Sequence, residues 1–562
     1  MKLGLHTLLV YLALFGFLGP LFGQTPSGGR ISGNLEANGN FFLRDTLIGA
    51  ANTPQYDRQI FGSDAWLNLN YSNWGFDFSI RFDVFNNSNL LNPQGSYTDL
   101  GIGRWYIHKE VENFDFSAGY LYDQIGSGII FRSYEQRALL IDNALVGLRV
   151  GYNFGEHLRV KAFSGLQKQQ FELYKSVIAG ASIEYFLLGK EGSRFTWAPG
   201  FGVVRRTLDD ATMNNLVATI NTYKPTDAFV PRYTAYAFSL YHTLNLGPFV
   251  WYAEGAFKTK DNMSDPLAER VTITGDTIVG KLIQAPGSVI YTSLSYANKG
   301  LGLTLEGKRT ENFSFRTRPQ EELNRGLINF LPPMMRVNTY RLTARYMPAT
   351  QEFGELAVQA DARYAISKRT SVNVNFSNIT DLNGKQLYRE LFTELLLKKA
   401  RVWQLTTGVQ FQRYNQQVYF FKPGEPLLEN VTPYVDFLYR YGKRRSVRFE
   451  AQYMFTGEDS KGLGYDYGDW VFGLVEISPA AKWTFTFSDM YNIGPGKNSP
   501  SDATSGKKLS VHFPRFDIFY THGANRFSLS YVKQVEGVVC TGGVCRIEPA
   551  FSGVKVAVNS SF

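Results

Sequence analysis

The chain is 562 residues long, carries a formal net charge of +9, and is 15% aromatic. Beyond the amino terminus no stretch supplies the roughly 18 consecutive apolar residues of a membrane-spanning helix, so a membrane-embedded form has to cross as strands, because only helices and closed barrels satisfy every backbone hydrogen bond in lipid. The basic balance comes with no nucleic-acid motif and with an export signal, which sets nucleic acid aside as a partner; Lys and Arg scattered along polar faces fit a barrel interior or surfaces facing anionic lipid.

Lys2 precedes an apolar run over residues 8–22 that is interrupted by Gly16, Gly19 and Pro20. A charged start, a short greasy core and small residues at the exit predict a secretory signal peptide over residues 1–23, cut before Gln24. The run holds no cysteine for a lipoprotein-type anchor. Residues 24–29 form a short periplasmic lead, and the first strand begins near Arg30. This leaves no room for an amino-terminal plug domain and disfavours an energised receptor.

A two-residue beat then sets in. Leu67, Leu69 and Tyr71 oppose Asn68 and Asn70. After a tight turn at Asn73-Trp74-Gly75, Phe76, Phe78, Ile80, Phe82 and Val84 share one face, while Asp77, Ser79, Arg81 and Asp83 share the other. The pattern recurs at 158–163, 300–308, 356–364, 372–377, 447–453, 483–488 and 527–531. Short turns such as Gly155-Glu156 and Leu246-Gly247 alternate with longer segments, among them 125–143, 208–230, 261–285, 313–333 and 494–507. Short on one side and long on the other is how bacterial barrels arrange periplasmic turns and extracellular loops. A propeller would repeat a blade motif, and the sequence has none.

The fold expected is therefore all-β: a single large antiparallel transmembrane β-barrel over residues 30–562. The beat yields about 25 strand candidates of about ten residues each, where a single chain is expected to have an even number. The misfit lies between 313 and 355. A strand hidden within 313–336 gives about 26, the favoured number, and a merger gives about 24.

An Arg or Lys facing lipid near the bilayer midplane costs roughly 2–4 kcal/mol. That penalty turns Asp77, Arg81, Asp83, Glu306, Lys308, Arg341, Arg345, Asp361, Arg363, Asp436, Arg440, Arg448 and Glu450 toward the lumen. They line it either as a solvated wall with cross-strand ion pairs or as a selectivity lining.

The densest stretch is 123–143, D-Q-I-G-S-G-I-I-F-R-S-Y-E-Q-R-A-L-L-I-D-N. Gly126 and Gly128 allow a tight backbone. Arg132, Glu135, Arg137 and Asp142 pair with each other or with wall charges. Ile129, Ile130, Phe131, Leu139, Leu140 and Ile141 make the loop too apolar to hang in water, so it is expected to fold into the mouth or lumen as a constriction. There it either gates or binds, or packs to stabilise the barrel. An enzyme has little support: His108, His157, His242, His512 and His522 are scattered, no metal-ligand spacing occurs, and no cofactor is expected.

Near the end, Cys540 and Cys545 in V-C-T-G-G-V-C fit a loop-tip disulfide of an exported protein better than a thiol pair; a zinc site would need further ligands. In the last strand Val554, Val556 and Val558 are in phase with Phe562, and Gly553, Lys555, Ala557, Asn559 and Ser561 lie opposite. This suits lipid outside and a wet lumen inside, or an ordinary last strand of a soluble sheet. The terminal Phe562 resembles the carboxy-terminal signal by which bacterial outer-membrane barrels are recognised for insertion.

With the signal peptide, the run G-S-G-x-x-F-R-S-Y-E-x-R…I-D-N-A-L-x-G-x-R-V over 126–150, and Phe562, the chain resembles an uncharacterised outer-membrane barrel family of Bacteroidota known as a domain of unknown function. The resemblance covers most of the mature chain. It implies the barrel and the cell outer membrane, and no established activity or site residues. Asp45-Thr46-Leu47 and Asp276-Thr277-Ile278 resemble the Asp-Thr-aliphatic O-glycosylation sites of Bacteroidota, with Thr46 and Thr277 as acceptors. The expected partners are outer-membrane lipid and lipopolysaccharide, the barrel-assembly machinery during insertion, and other outer-membrane proteins. The function expected is a channel or solute-binding barrel with a loop-constricted lumen, its rival a non-conducting structural or assembly subunit.

Overall fold

The computed structural model describes residues 29–562 apart from 91–94, 138–140, 190–193, 273–274, 459–461 and 542–543. The signal peptide expected over residues 1–23 therefore lies outside the described residues. The alternating sequence becomes one antiparallel sheet of 25 strands. One of these, Leu187–Leu188, is a two-residue stub beside Phe195–Thr207, and the other 24 close into a barrel. Closure is direct. Arg30–Phe42 pairs on one side with Phe61–Asn73 and on the other with Phe551–Ser561, so the ring has no free edge. At this seam the Phe562 amide donates to the Gly33 carbonyl at 3.0 Å and its carbonyl accepts from the Gly33 amide at 2.9 Å. Gly33 is required there, since a Cβ would meet the Phe562 ring at 2.6 Å.

Short turns gather at one end, as at Asn73 to Phe76 and Gly442 to Arg445, together with both ends of the barrel chain. The long connections gather at the other. The faces separate as the beat requires: in Phe76–Ser88, Arg81 and Asp83 are buried while Phe82 is exposed on the outer wall. Exposed Trp74, Trp197, Trp251, Tyr439 and Trp483 lie toward the turn end, the composition of a membrane–water interface.

The ring of 24 strands falls at the lower end of the expected 24–26 and not at the favoured 26. Residues 312–353 contain no strand, so nothing is hidden in 313–336 and the beat around Arg341 and Arg345 is not wall. Pro332-Pro333 and Pro348 bracket that beat and cannot donate to a ladder. A second correction concerns 261–285, expected as a loop. Phe249–Val271 and Thr277–Asn298 run on through it as a long hairpin, with register shifts between Lys258/Asp261 and Asp265/Glu269. Such bulges swap the faces, which hides the beat from the sequence. The helix Asp210–Ile220, capped by the Asp209 carboxylate accepting from the Thr212 amide, packs Met213, Leu216 and Ile220, with Tyr223 just after it, against Leu282 of this hairpin.

Candidate functional site: an occluded lumen

Residues 312–353 leave the wall after Leu301–Glu311, cross the lumen, and rejoin it at Gly354–Ser367. Backbone outside regular structure must find partners when buried, and here wall side chains supply them. On one side Lys258 donates to the Ser314 carbonyl, Arg206 to Arg316 O at 2.8 Å, and Lys308 to Pro332 O at 2.5 Å. On the other, Gln410 donates to Thr343 O at 3.1 Å and Gln412 to Tyr346 O at 2.8 Å, while the Gln452 carbonyl oxygen accepts from the Leu342 amide at 2.8 Å. The cations on the first side are themselves paired. Asp261 takes Arg206 at 2.5 Å and Lys258 at 3.2 Å, and Glu355 takes Lys308 at 2.9 Å, all essentially buried. Phe313, Phe315, Ile328, Met334, Leu342 and Tyr346 complete a dry interior.

The connection 122–144 folds in beside this segment. Gly126 and Gly128 have positive φ, and a Cβ at Gly126 would come within 2.8 Å of the Glu254 carboxylate. That carboxylate accepts from the Ser127 amide at 2.9 Å and hydroxyl at 2.7 Å. Ile125, Ile129, Ile130 and Phe131 are buried, and Phe131 stacks on Phe163 of the wall at 4.3 Å. Arg81 is the hub beneath: it reaches Asp83 and Glu135 at 2.6 Å and Asp142 at 2.9 Å. Lys168 also donates to Asp142, and Arg137 joins Glu135 at 3.0 Å and Glu36. Burial works against ionisation of Asp142, but Lys168 and Arg81, with hydrogen bonds from Lys168 and Tyr122, outweigh it and hold the carboxyl below its ordinary range. Burial pushes the Tyr134 phenol up to about 12 against the pull of Arg132.

The two inward segments are joined. The Arg132 amide donates to Ile328 O, the Phe330 amide to Gly128 O, and the Asn143 side chain to Leu327 O, each at 2.9 Å. The Arg132 guanidinium lies 4.6 Å from the Tyr134 ring centroid and 4.2 Å from that of Phe330. Together the segments pack their buried side chains against the wall in the loop-end half of the barrel. Toward the turn end the lumen face stays open: Arg363, 3.5 Å from Asp361, has a side chain 70% exposed.

Of the residues singled out in the sequence, Arg81, Asp83, Arg132, Glu135, Arg137 and Asp142 meet in this site. Asp77 faces the lumen near the turn end and accepts from Ser72. Arg448 bridges Asp436 at 2.9 Å and Glu450 at 2.5 Å elsewhere on the wall. Arg341 and Arg345 belong to the inward segment, where Arg345 lies 4.5 Å from the Trp470 ring centroid. The side chains of Cys540 and Cys545 lie outside the described residues, though their backbones are in register across the hairpin Gly537–Thr541 and Val544–Glu548. Thr46 and Thr277 are exposed at loop-end positions. Arg206, Lys258, Asp261, Glu254 and the glutamines belong to the site without any motif in the sequence that marks them. A lumen face carrying Gln410, Gln412 and Gln452 is the visible sign of such a site, since amides both donate and accept toward an irregular backbone.

These features define a transmembrane β-barrel whose lumen is occupied by two of its own connections. The chain belongs to DUF6029, a family of unknown function, whose family model matches residues 1–562; the resemblance carried by 126–150 agrees with this. No curated protein matches the chain. Similar solved structures include the P pilus usher (PapC) translocation pore, 10% identical with a TM-score of 0.43 over 95% of this chain and 99% of that one. Another is a mutant of the ferric enterobactin receptor PfeA from Pseudomonas aeruginosa, 8% identical with a TM-score of 0.40 over 95% and 81%. A third is the outer membrane transporter YddB from Escherichia coli, 6% identical with a TM-score of 0.39 over 94% and 81%.

Proposed function

We propose that the protein is an outer-membrane transport barrel, closed at rest by residues 312–353 with 122–144 and opened by moving them. The observation that carries this reading is the way 312–353 is held. Among the described residues no strand ladder joins it to the wall; the bonds come from wall side chains. Such a segment can leave without unzipping the barrel. The apolar outer face, the Trp and Tyr near the turn end and Phe562 at the seam support the outer membrane, with residues 1–23 as signal peptide and 24–29 as periplasmic lead. The turn end then faces the periplasm and the loop end the exterior. Phe562 is read by the assembly machinery, a Cys540–Cys545 disulfide closes one outer hairpin, and Thr46 and Thr277 are glycan acceptors on the outer surface. No step of this function calls for catalysis.

The rival is a non-conducting scaffold within an outer-membrane complex. The buried anchors favour it: Arg206 and Lys308 hold the Arg316 and Pro332 carbonyls of the inward segment, and each cation is fixed by a buried wall carboxylate, Asp261 or Glu355. A lock separates the two. In a background lacking both native cysteines, Asn338→Cys and Glu390→Cys replace side chains that hydrogen-bond at 2.8 Å, and a short reducible bis-maleimide joins them. Transport requires producing cells to lose uptake or export of a solute when locked and to regain it on reduction. A scaffold gives identical solute profiles in both states, with fixed protein partners co-purifying.

A further inference from the structure

We infer that the outer wall carries a site for a phosphate-bearing membrane lipid, centred on Arg389 and Arg413. These two arginines are directly opposite each other on neighbouring strands, Gln386–Lys399 and Trp403–Asn415. Both point outward, since the residues beside them, Glu390 and Gln412, are buried in the lumen. Asn378 and Glu429 flank them in the same row. Arg389 donates from Nε to Asn378 at 2.9 Å and has no ion pair among the described residues. Arg413 meets Glu429 at 3.0 Å, with side chains 47% and 57% exposed. Two cations against one carboxylate leave an excess positive charge on a wall turned to lipid. Like charges directly opposite on a sheet repel, so the row gains if an anion settles between them.

The next row toward the membrane centre is wholly apolar: Phe376, Leu391, Phe411, Val431 and Phe455 are consecutive in register. Phe376, Leu391, Phe411 and Phe455 are exposed. With the arginines they line an outer groove of about 570 Å³. Arg389 and Arg413 lie near the loop-end limits of their strands, where an outward Arg costs only about 0–1 kcal/mol. Paired guanidinium groups match phosphate oxygens, and the groove below takes acyl chain. A soluble anion would use the first feature and leave the second empty, so the occupant is a lipid. This rests on the membrane reading above but is independent of whether the lumen opens.

The test uses the whole protein in phosphatidylcholine nanodiscs containing diphosphoryl lipid A or the same lipid stripped of phosphate, followed by native mass spectrometry in mild detergent. The wild type should retain the phosphorylated lipid about tenfold more, and R389Q/R413Q should lose that preference while keeping the heat-resistant mobility of a folded barrel. Glu429→Gln releases Arg413 and should raise retention; it stays informative where the double variant fails to fold. Equal retention of the two lipids, unchanged retention in R389Q/R413Q, no rise in E429Q, or displacement of the lipid by millimolar inorganic phosphate would each overturn the proposal.

Discussion

Arg81, fixed on the wall strand Phe76–Ser88, donates to Asp142 of the overlying connection at 2.9 Å, and so latches a loop to the lumen from beneath. The same guanidinium holds Asp83 and Glu135. Arg81 therefore serves three carboxylates, with Arg137 sharing Glu135 and Lys168 sharing Asp142, and Asp83 relies on Arg81. Arg81→Met leaves buried carboxylates short of a cation, a loss of about 3–5 kcal/mol. The barrel should still form, with 122–144 released. Trypsin should then cut at Arg137 in the variant and leave the wild type intact; equal protection of both would show that the latch does not hold the loop.

The pH response of the same contact has a fixed sign. Asp142 has a folded-state pKa below its unfolded value, so its contribution is present above the unfolded value near 3.9 and disappears as pH falls through the folded value. The protection factor of 122–144, its exchange rate relative to the unstructured chain at the same pH, should stay constant from about pH 7 to pH 5 and fall below about pH 4. A fall already between pH 8 and 6 would assign the loop's stability to another group.

Lys308 and Glu355 offer a paired test of the inward segment. Lys308→Met leaves the Pro332 carbonyl without its donor and Glu355 with only the Gln351 amide, and should cost about 3–5 kcal/mol, read as faster exchange across 312–353. Removing both charges in K308M/E355L should recover part of that loss, because no unpaired charge stays buried, while the Pro332 carbonyl and the Gln351 amide still lack partners. A double variant as labile as the single one would argue that the pair gives net stability to the closed state.

The seam is sensitive to one methyl group. Gly33→Ala places a Cβ 2.6 Å from the Phe562 ring and 2.7 Å from the Asn68 carbonyl oxygen. First-to-last strand pairing should weaken, and the heat-resistant fraction on a gel should fall; an unchanged fraction would show that Phe562 simply turns aside.

The wall was legible because its chemistry alternates at every step: Arg81 and Asp83 cannot face lipid while Phe82 can. The stretch 123–143 stood out for the complementary reason, too many isoleucines beside too many charges for a loop in water, and Ile125, Ile129 and Ile130 are buried. Residues 337–347 misled because Leu342, Ala344 and Tyr346 alternate with Arg341, Thr343 and Arg345 much as a wall strand does. Only partners such as Gln410 and Gln452, far along the chain, reveal that this stretch lies inside the ring. The long hairpin was concealed by its bulges near Asp261 and Asp265, which reset the two-residue phase. Nothing local to Arg206 or Lys258 marks them as anchors, since their carbonyl partners belong to a segment without regular structure.

Closure of the lumen by residues 312–353 is read in planar-bilayer recording of wild-type protein beside a variant in which 314–351 is replaced by a short Gly-Ser linker. The wild type should be silent or open only briefly, and the variant should show a large, steady conductance. A wild type that conducts as steadily as the variant would show that 312–353 does not close the lumen.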